Sequence, residues 1–494
     1  MIVLFWSKFE RPIYNMKHLF LSFFVCLASF GISAQQGYNI RIDLKPYKNS
    51  KIYLGYYYGK MKAIADSTIL NENSTGSFTG KEPLHGGIYF VVSPNKAILF
   101  EVLIDKDQDF SVTADTTNLP GSIKFSGTTD NTQFQSYSGF ANETGQAITR
   151  LNEQLKVTST ARDSAIVSSK IRTLSKSLTV YRDSIARIYP GSFLSMLFNA
   201  IREPEIPPVS SHPGGKYDSN YAYQYYKANY WKGVSIGDDR LVRTPFFEPK
   251  LEKYYKELVY PNADSIKKEI DAMLLQARGS QEMFKYLLVH FVQKYINPEY
   301  MGLDAVFVHL FEKYINTGQA EFFTAQYKDF MTKRAYSVMA NLIGQPAANL
   351  DMVDSSGKSV PLYNIESKYT VVVFWDPGCS HCKEVVPKVD SIYKAKWKDQ
   401  GVVVYAVKTE GTREDWVKFI NEHKLTGWLH VYQLPEKQAA DNAAGRPGYR
   451  QLYDVYQTPM LYLLDNNKRI IAKKLTYLQM DEVINLKART AKSN

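Results

Sequence analysis

The sequence predicts a multidomain protein: an all-β sandwich or barrel first, a helical middle, and a C-terminal α/β domain. Three observations carry this. At 494 residues the chain is too long for one hydrophobic core. Its apolar pattern changes period twice, from two residues to between three and four, and then to alternating short strands and helices. Finally, a continuous apolar run, TVVVFWD at 370–376, reads as a strand covered on both faces, which only a helix-flanked sheet requires.

In chain order, residues 1–34 read as a secretory signal. From Met16 the chain runs MKHLFLSFFVCLASFGISA, a lysine and then an apolar stretch, with small residues before a cleavage expected after Ala34. Residues 1–15 read as sequence upstream of a true start at Met16. The apolar stretch is shorter than the ~20 residues that span a bilayer, and no later segment reaches that length. Cys26 lies within it, but Phe23, Phe24 and Val25 precede it where a lipidation site wants small residues, which disfavours a lipoprotein.

Residues 36–135 carry seven runs rich in Tyr, Ile, Val and Phe, from YNIRIDL to SIKFSG, punctuated by turns such as Asn73-Ser74 and Pro120-Gly121. Tyr53 and Tyr56 to Tyr58 are either a stacking surface for a ligand or half-buried sheet packing. Residues 136–343 carry helical spacing, interrupted by a loop-like stretch at 202–220. His290 and His309 stand on aromatic-rich helices. Glu312 follows His309 by one turn, yet no second pair completes a metal site, so both histidines read as core or boundary residues. From 344 to 494 the order is hairpin, strand, helix, strand, helix, strand, helix, strand, strand, helix, with Thr412 an expected helix N-cap.

Composition narrows the function classes. With 45% apolar, 14% aromatic and 22% charged residues, the chain is globular and not disordered. The net charge of +11 is scattered, and no basic stripe with interleaved aromatics marks a nucleic-acid binder. No HExxH, phosphate-cradling glycine loop or GxSxG elbow occurs. Once the signal is removed, the expected mature chain holds two cysteines, Cys379 and Cys382, in FWDPGCSHCKEVVP. In an oxidising compartment they can bridge only to each other within the chain, closing a ring too small to stabilise much through chain entropy. Chemistry is the better reason for them. Pro377-Gly378 ends the strand, so Cys379 falls at the start of the next helix, where free N–H groups and the helix dipole favour a thiolate. Cys379 is then the nucleophile and the more buried Cys382 the resolving thiol.

The segment from 344 to 490 resembles the thioredoxin superfamily, and within it the exported TlpA-like thiol–disulfide oxidoreductases of the Bacteroidetes type. The match rests on the strand ending in Phe374-Trp375, the Cys379-Ser380-His381-Cys382 motif opening a helix, Pro387 inside that helix, and Thr458-Pro459 before a strand. The helix and strand between 412 and 434 are similar to the insertion of TlpA-like members. The resemblance implies a thioredoxin-like fold, a cis Pro459 facing the cysteine pair, substrate binding by Thr458, Pro459 and Trp375, and no cofactor. It implies redox tuning by His381 and Ser380, with His381 stabilising the thiolate and pushing the pair towards the oxidising side; simple exposure of His381 is the alternative. Thioredoxin and DsbA, which differ in these intervening residues, lie about 150 mV apart.

Two departures stand out. Val373 occupies the strand position where thioredoxin has a buried acid, and Val385 the helix position where TlpA-like reductases often have Glu, with Glu384 one residue off. A metal reading of Cys379, His381 and Cys382 would need further ligands, for which His423 and His430 are the nearby candidates. The expectation is a thiol–disulfide oxidoreductase of the periplasm or cell envelope. Its partners would be protein thiol or disulfide clients and a redox partner protein, without nucleic acid, resident metal or a membrane span after signal cleavage. The competing class is an envelope binding or adaptor protein whose thioredoxin-like domain is a docking module with little redox turnover.

Overall fold

The computed structural model describes residues 37–493, so the expected signal segment, with Met16 and Cys26, lies outside the described residues. Contacts divide the chain into two compact units, one of residues 37–202 with 240–248, the other of residues 203–239 with 249–493. Among the described residues no helix is long and apolar enough to cross a membrane.

The first unit is built on eight strands: β1 (Tyr38–Lys45), β2 (Lys51–Tyr58), β3 (Met61–Ile69), β4 (Thr75–Gly80), β5 (Gly87–Val92), β6 (Ile98–Ile104), β7 (Asp109–Asp115) and β8 (Lys124–Ser126). They form two four-stranded sheets, ordered β4-β1-β7-β8 and β3-β2-β5-β6. Alternate residues of both sheets, including Ile40, Ile42 and Leu44 from β1, Ile52 and Leu54 from β2, and Phe110 and Val112 from β7, share one core. That is the expected sandwich. Its eighth strand, β3, is absent from the sequence reading because MKAIADSTI has no clean alternation; it is an edge strand that leaves Met61, Ile64 and Ile69 exposed.

GIYFVV, strand β5, is buried at all six positions. Tyr89 and Val91 point into the sandwich. Ile88 and Leu103 point the other way, against α1 (Thr129–Val157), α2 (Ala161–Ile188) and α3 (Phe193–Ala200), through Phe134, Ile185, Phe193 and Leu197. The expected division at 135/136 therefore does not coincide with the units: helices begin at Thr129, and the first three pack on the sheet that precedes them.

The second unit opens with α4 (Ser219–Asn229), α5 (Ala263–Gln276), α6 (Gln281–Tyr295), α7 (Asp304–Leu310) and α8 (Ala325–Met339). Its α/β part comprises β9 (Tyr369–Trp375), α9 (Ser380–Ile392), β10 (Val402–Lys408), α10 (Arg413–Glu422), β11 (Leu429–Tyr432), α11 (Pro435–Ala443), α12 (Tyr449–Leu452), β12 (Met460–Asp465), β13 (Ile470–Lys473) and α13 (Tyr477–Ser493). The sheet order is β11-β10-β9-β12-β13. The first three strands run parallel, and β12 is antiparallel to β9.

Every residue of β9 is buried. Val371, Val373 and Trp375 face a core with Val386, Val389, Trp416, Phe419 and Met480. Val372 and Phe374 face Leu350, Leu362 and Tyr453 on the other side. This two-sided cover is why the run is continuously apolar. The helix expected over GYRQLYDVY shortens to α12, and α11 was not foreseen, since none of its residues is buried and it shows no apolar stripe.

In β2, Gly55 sits opposite Phe90, and a methyl built on it would lie 2.2 Å from Phe90 Cε2. Phe90 is itself buried and has little room to retreat. Gly55→Ala is therefore expected to destabilise the first unit by about 1–3 kcal/mol, as overpacking does. Chemical denaturation followed by circular dichroism reads this; an unchanged midpoint would mean that the ring moves freely.

Candidate active site

The site forms where β9 stops. Asp376 Oδ1 accepts a hydrogen bond from Gly378 N at 2.7 Å, and Cys379 N donates to Asp376 O at 3.2 Å, so a tight turn hands the chain to α9. Cys379 is the N-cap residue, with extended backbone (φ −74°, ψ 124°). In the place usually held by a Ser or Asp oxygen, its Sγ accepts from Cys382 N at 3.4 Å. The cysteine side chain thus serves one of the N–H groups that a helix start leaves unpaired.

Two other contacts complete the pair. Cys382 Sγ, fully buried, accepts from Asp376 N at 3.5 Å. Cys379 Sγ, half-exposed, lies 3.5 Å from the carbonyl oxygen of Thr458. The Thr458–Pro459 peptide is cis. Cys379 and Thr458, 79 positions apart in sequence, meet because β12 lies beside β9, with Met460 opposite Phe374.

The two thiols are driven apart electrostatically. Partial burial, the largest single influence on Cys379, raises its pKa. The N–H of Cys382, the Cys382 thiol, the Thr458 side chain and the N–H of His381 together outweigh it and hold Cys379 below the ordinary thiol value. For Cys382, burial pushes the pKa up to about 12, with the N–H of Asp376 opposing weakly. The site makes the anion of Cys379 easier to form than that of a free thiol and keeps the proton on Cys382.

The other expected site residues fall unevenly. His381 is exposed, and its backbone N–H is among the groups that lower the pKa of Cys379. Its side chain lines a cleft of about 300 Å³ beside the pair, with Glu384, Val385 and Lys388 on one wall, Pro459 and Met460 at the base, and Lys474 to Tyr477 opposite. Ser380 is exposed at the helix start. Trp375 does not reach the surface. Strand alternation points it, with Val371 and Val373, beneath α9 and α10, where it packs 5.1 Å from the Phe419 ring, so it cannot contact a client.

Val373 is fully buried, and no acid takes its place. Val385 is half-buried, and Glu384 is exposed on the cleft. The carboxylate that the sequence reading passed over is Asp376, whose side chain fastens the turn while its own N–H reaches Cys382; the Asp-Pro-Gly order was the available signal. The histidines are engaged elsewhere: His423 against the Phe419 ring, His430 on the Leu425 carbonyl at 2.8 Å, His309 on Asp271 at 2.9 Å and His290 on Glu252 at 3.1 Å. Glu312 is exposed and does not join His309. Of the tyrosines, Tyr57 donates to Glu101, while Tyr53 lies beneath Lys96 Nζ at 3.3 Å.

Residues 343–477 match the AhpC/TSA family. This part of the chain is a thioredoxin-like domain. It is 27% identical over 136 residues to the thiol-disulfide oxidoreductase ResA of Oceanobacillus iheyensis, an alignment covering 27% of this chain and 63% of that protein. ResA of Bacillus subtilis is 24% identical over 128 residues, 26% of this chain and 64% of its own length. The chain therefore spans just under two thirds of each of these relatives. A solved thiol:disulfide interchange protein from a Bacteroides species is 30% identical, covering 30% of this chain and 93% of that one, with a TM-score of 0.26. With the AhpC/TSA match, these likenesses make the domain similar to TlpA-like thiol–disulfide oxidoreductases.

The thioredoxin-like pair should alkylate in order. With reduced protein at neutral pH, iodoacetamide is expected to modify Cys379 alone. The rate should rise with pH to a plateau whose midpoint lies below that of a free thiol, because the folded site favours the anion. Peptide mass mapping with a pH-rate profile reads both. Equal labelling of Cys382, or a midpoint at or above that of free cysteine, would contradict the assignment.

Proposed function

We propose that the protein is an exported thiol–disulfide oxidoreductase that exchanges disulfides with protein clients of the periplasm or cell envelope through Cys379 and Cys382. The observation that carries this is the placement of the two thiols: Cys379 Sγ, half-exposed, caps the start of α9 by accepting from Cys382 N, and Cys382 lies buried behind it. In the reducing direction, Cys379 thiolate attacks one sulfur of a client disulfide. That S–S bond breaks, a Cys379–client S–S bond forms, and the client's other sulfur leaves as a thiolate and takes a proton. Cys382 then loses its proton and attacks Cys379 Sγ, expelling the second client thiolate. Two electrons pass from the pair to the client, and the pair is left as a disulfide. The opposite direction runs the same bonds in reverse, and a redox partner protein resets the pair.

Thr458 and Pro459 hold the client backbone in an extended pose beside Cys379, with the cleft lined by His381 receiving neighbouring client side chains. Ser380 keeps the approach to Cys379 small and open. Export rests on the signal read in residues 1–34.

Cys379→Ser should reduce insulin turnover, with dithiothreitol as donor, to the background rate. Cys382→Ala should accumulate a mixed disulfide with insulin that dithiothreitol releases, visible on non-reducing gels. Wild-type turnover no faster than background would reject the catalytic reading and leave the docking module in its place.

A further inference from the structure

Two consecutive lysines at the end of β13 tie the helical segment to the redox site. The Lys473 side chain is almost wholly buried, and its Nζ meets Asp304 Oδ2 at 2.6 Å, at the start of α7. The same Nζ donates to the carbonyl and Oδ1 of Asn341, each at 2.7 Å. Lys474 turns the other way and pairs with Asp454. Asp454 Oδ2 is also held by Arg334 Nη1 of α8 at 2.5 Å. Ser337, one turn further along α8, donates to Gln451 O at 2.8 Å and lies 3.2 Å from Asp454 Oδ1. Asn341 Nδ2 donates to Leu452 O at 3.0 Å.

Both ends of the Asp454–Lys474 pair adopt left-handed backbone, with φ of 49° and 57°, which residues other than glycine adopt reluctantly and keep only where their surroundings hold them. Asp454 stands four residues before Thr458, whose carbonyl oxygen lies 3.5 Å from Cys379 Sγ. Lys474 opens the cleft wall that continues through Leu475, Thr476 and Tyr477. One carboxylate, largely buried and anchored from α8, therefore fixes the start of the cis-proline loop and the facing wall together.

We propose that the helical segment is a positioning element of the redox site: Arg334, acting through Asp454, holds the Thr458–Pro459 loop and the Lys474–Tyr477 wall in the spacing a protein client requires. This rests on the thiol–disulfide reading. It separates two properties that a lone thioredoxin-like domain would combine. The chemistry of Cys379 leans first on the N–H of Cys382 within α9, which lies outside the α8–Asp454 junction, and only second on Thr458. Capture of a folded or extended polypeptide depends on the distance between the loop and the wall, which α8 sets.

The test uses the full chain and Arg334→Met, which keeps the aliphatic stem and removes the charge. Reduction of a small disulfide, 5,5′-dithiobis(2-nitrobenzoate), by the reduced protein should stay within twofold of wild type, as should the pH midpoint for Cys379 alkylation. kcat/KM for insulin should fall about tenfold, mostly through KM, since misplacement by an ångström costs up to about a hundredfold. Arg334→Lys should restore most of the loss. Ser337→Ala, which removes one hydroxyl from the same junction, should give a smaller loss of the same kind and carries the test should Arg334→Met fail to fold. Equal losses with both substrates, or none with insulin, would overturn the proposal. Absence of both activities in the wild-type protein would instead reject the redox reading itself.

Discussion

The site depends on a sulfur standing where a helix usually has an oxygen cap. An N-terminal turn leaves N–H groups without partners, and here Cys379 Sγ accepts from Cys382 N. That one contact does two things. It satisfies the helix start, and it makes the anion the better form of the sulfur because the N–H points at it. The arrangement needs a fixed origin for the helix, and β9 provides it. A strand buried on both faces and paired with β10 and β12 cannot shift register without exposing one apolar face, so the point at which it ends is set by the whole sheet.

The same sheet brings in the second half of the site. Because β12 is antiparallel to β9, its first residue lies at the end of β9 from which the cysteines spring, and the residues just before it, Thr458 and Pro459, arrive beside Cys379. Antiparallel insertion of one strand thus converts a separation of some eighty residues into direct contact. The cleft wall follows from the next strand. Pairing of β13 with β12 puts Lys473 and Lys474 at the same edge, where one faces the helical segment and the other faces the cis-proline loop.

Features encoded within a few neighbouring residues could be read without coordinates. The continuous run of β9, the break at Pro377-Gly378, the cysteine spacing and the N-cap at Thr412 are of that kind, and the structure shows each. Features that depend on which face an element turns to a distant partner were not legible. Trp375 looked available because it adjoins the motif, yet strand alternation sends it under α9. β3 and α11 bury little, so neither leaves an apolar period. Arg334 and Asp454 are 120 positions apart, and neither sits in a motif; only their meeting gives them meaning. The sandwich and its helices showed a middle case. GIYFVV is buried at every position, but nothing in the run itself says that α1 to α3 supply the cover on its second face.

The valines at 373 and 385 bear on how Cys382 loses its proton. With no buried carboxylate at either place, the raised pKa of Cys382 is first a matter of burial, opposed by the Asp376 N–H and the Thr458 side chain and further raised by the thiol and charge of Cys379. The last of these contributions does not survive the first chemical step. When Cys379 joins a client sulfur, its negative charge is gone. The repulsion that opposed a second anion goes with it, while the N–H of Asp376 still points at Cys382 Sγ. Cys382 is therefore held protonated while Cys379 is free and becomes easier to ionise once Cys379 is occupied. In the proposed exchange, a pair ordered in this way would run nucleophile first and resolver second, with a neighbouring acid adjusting the rate of the second step.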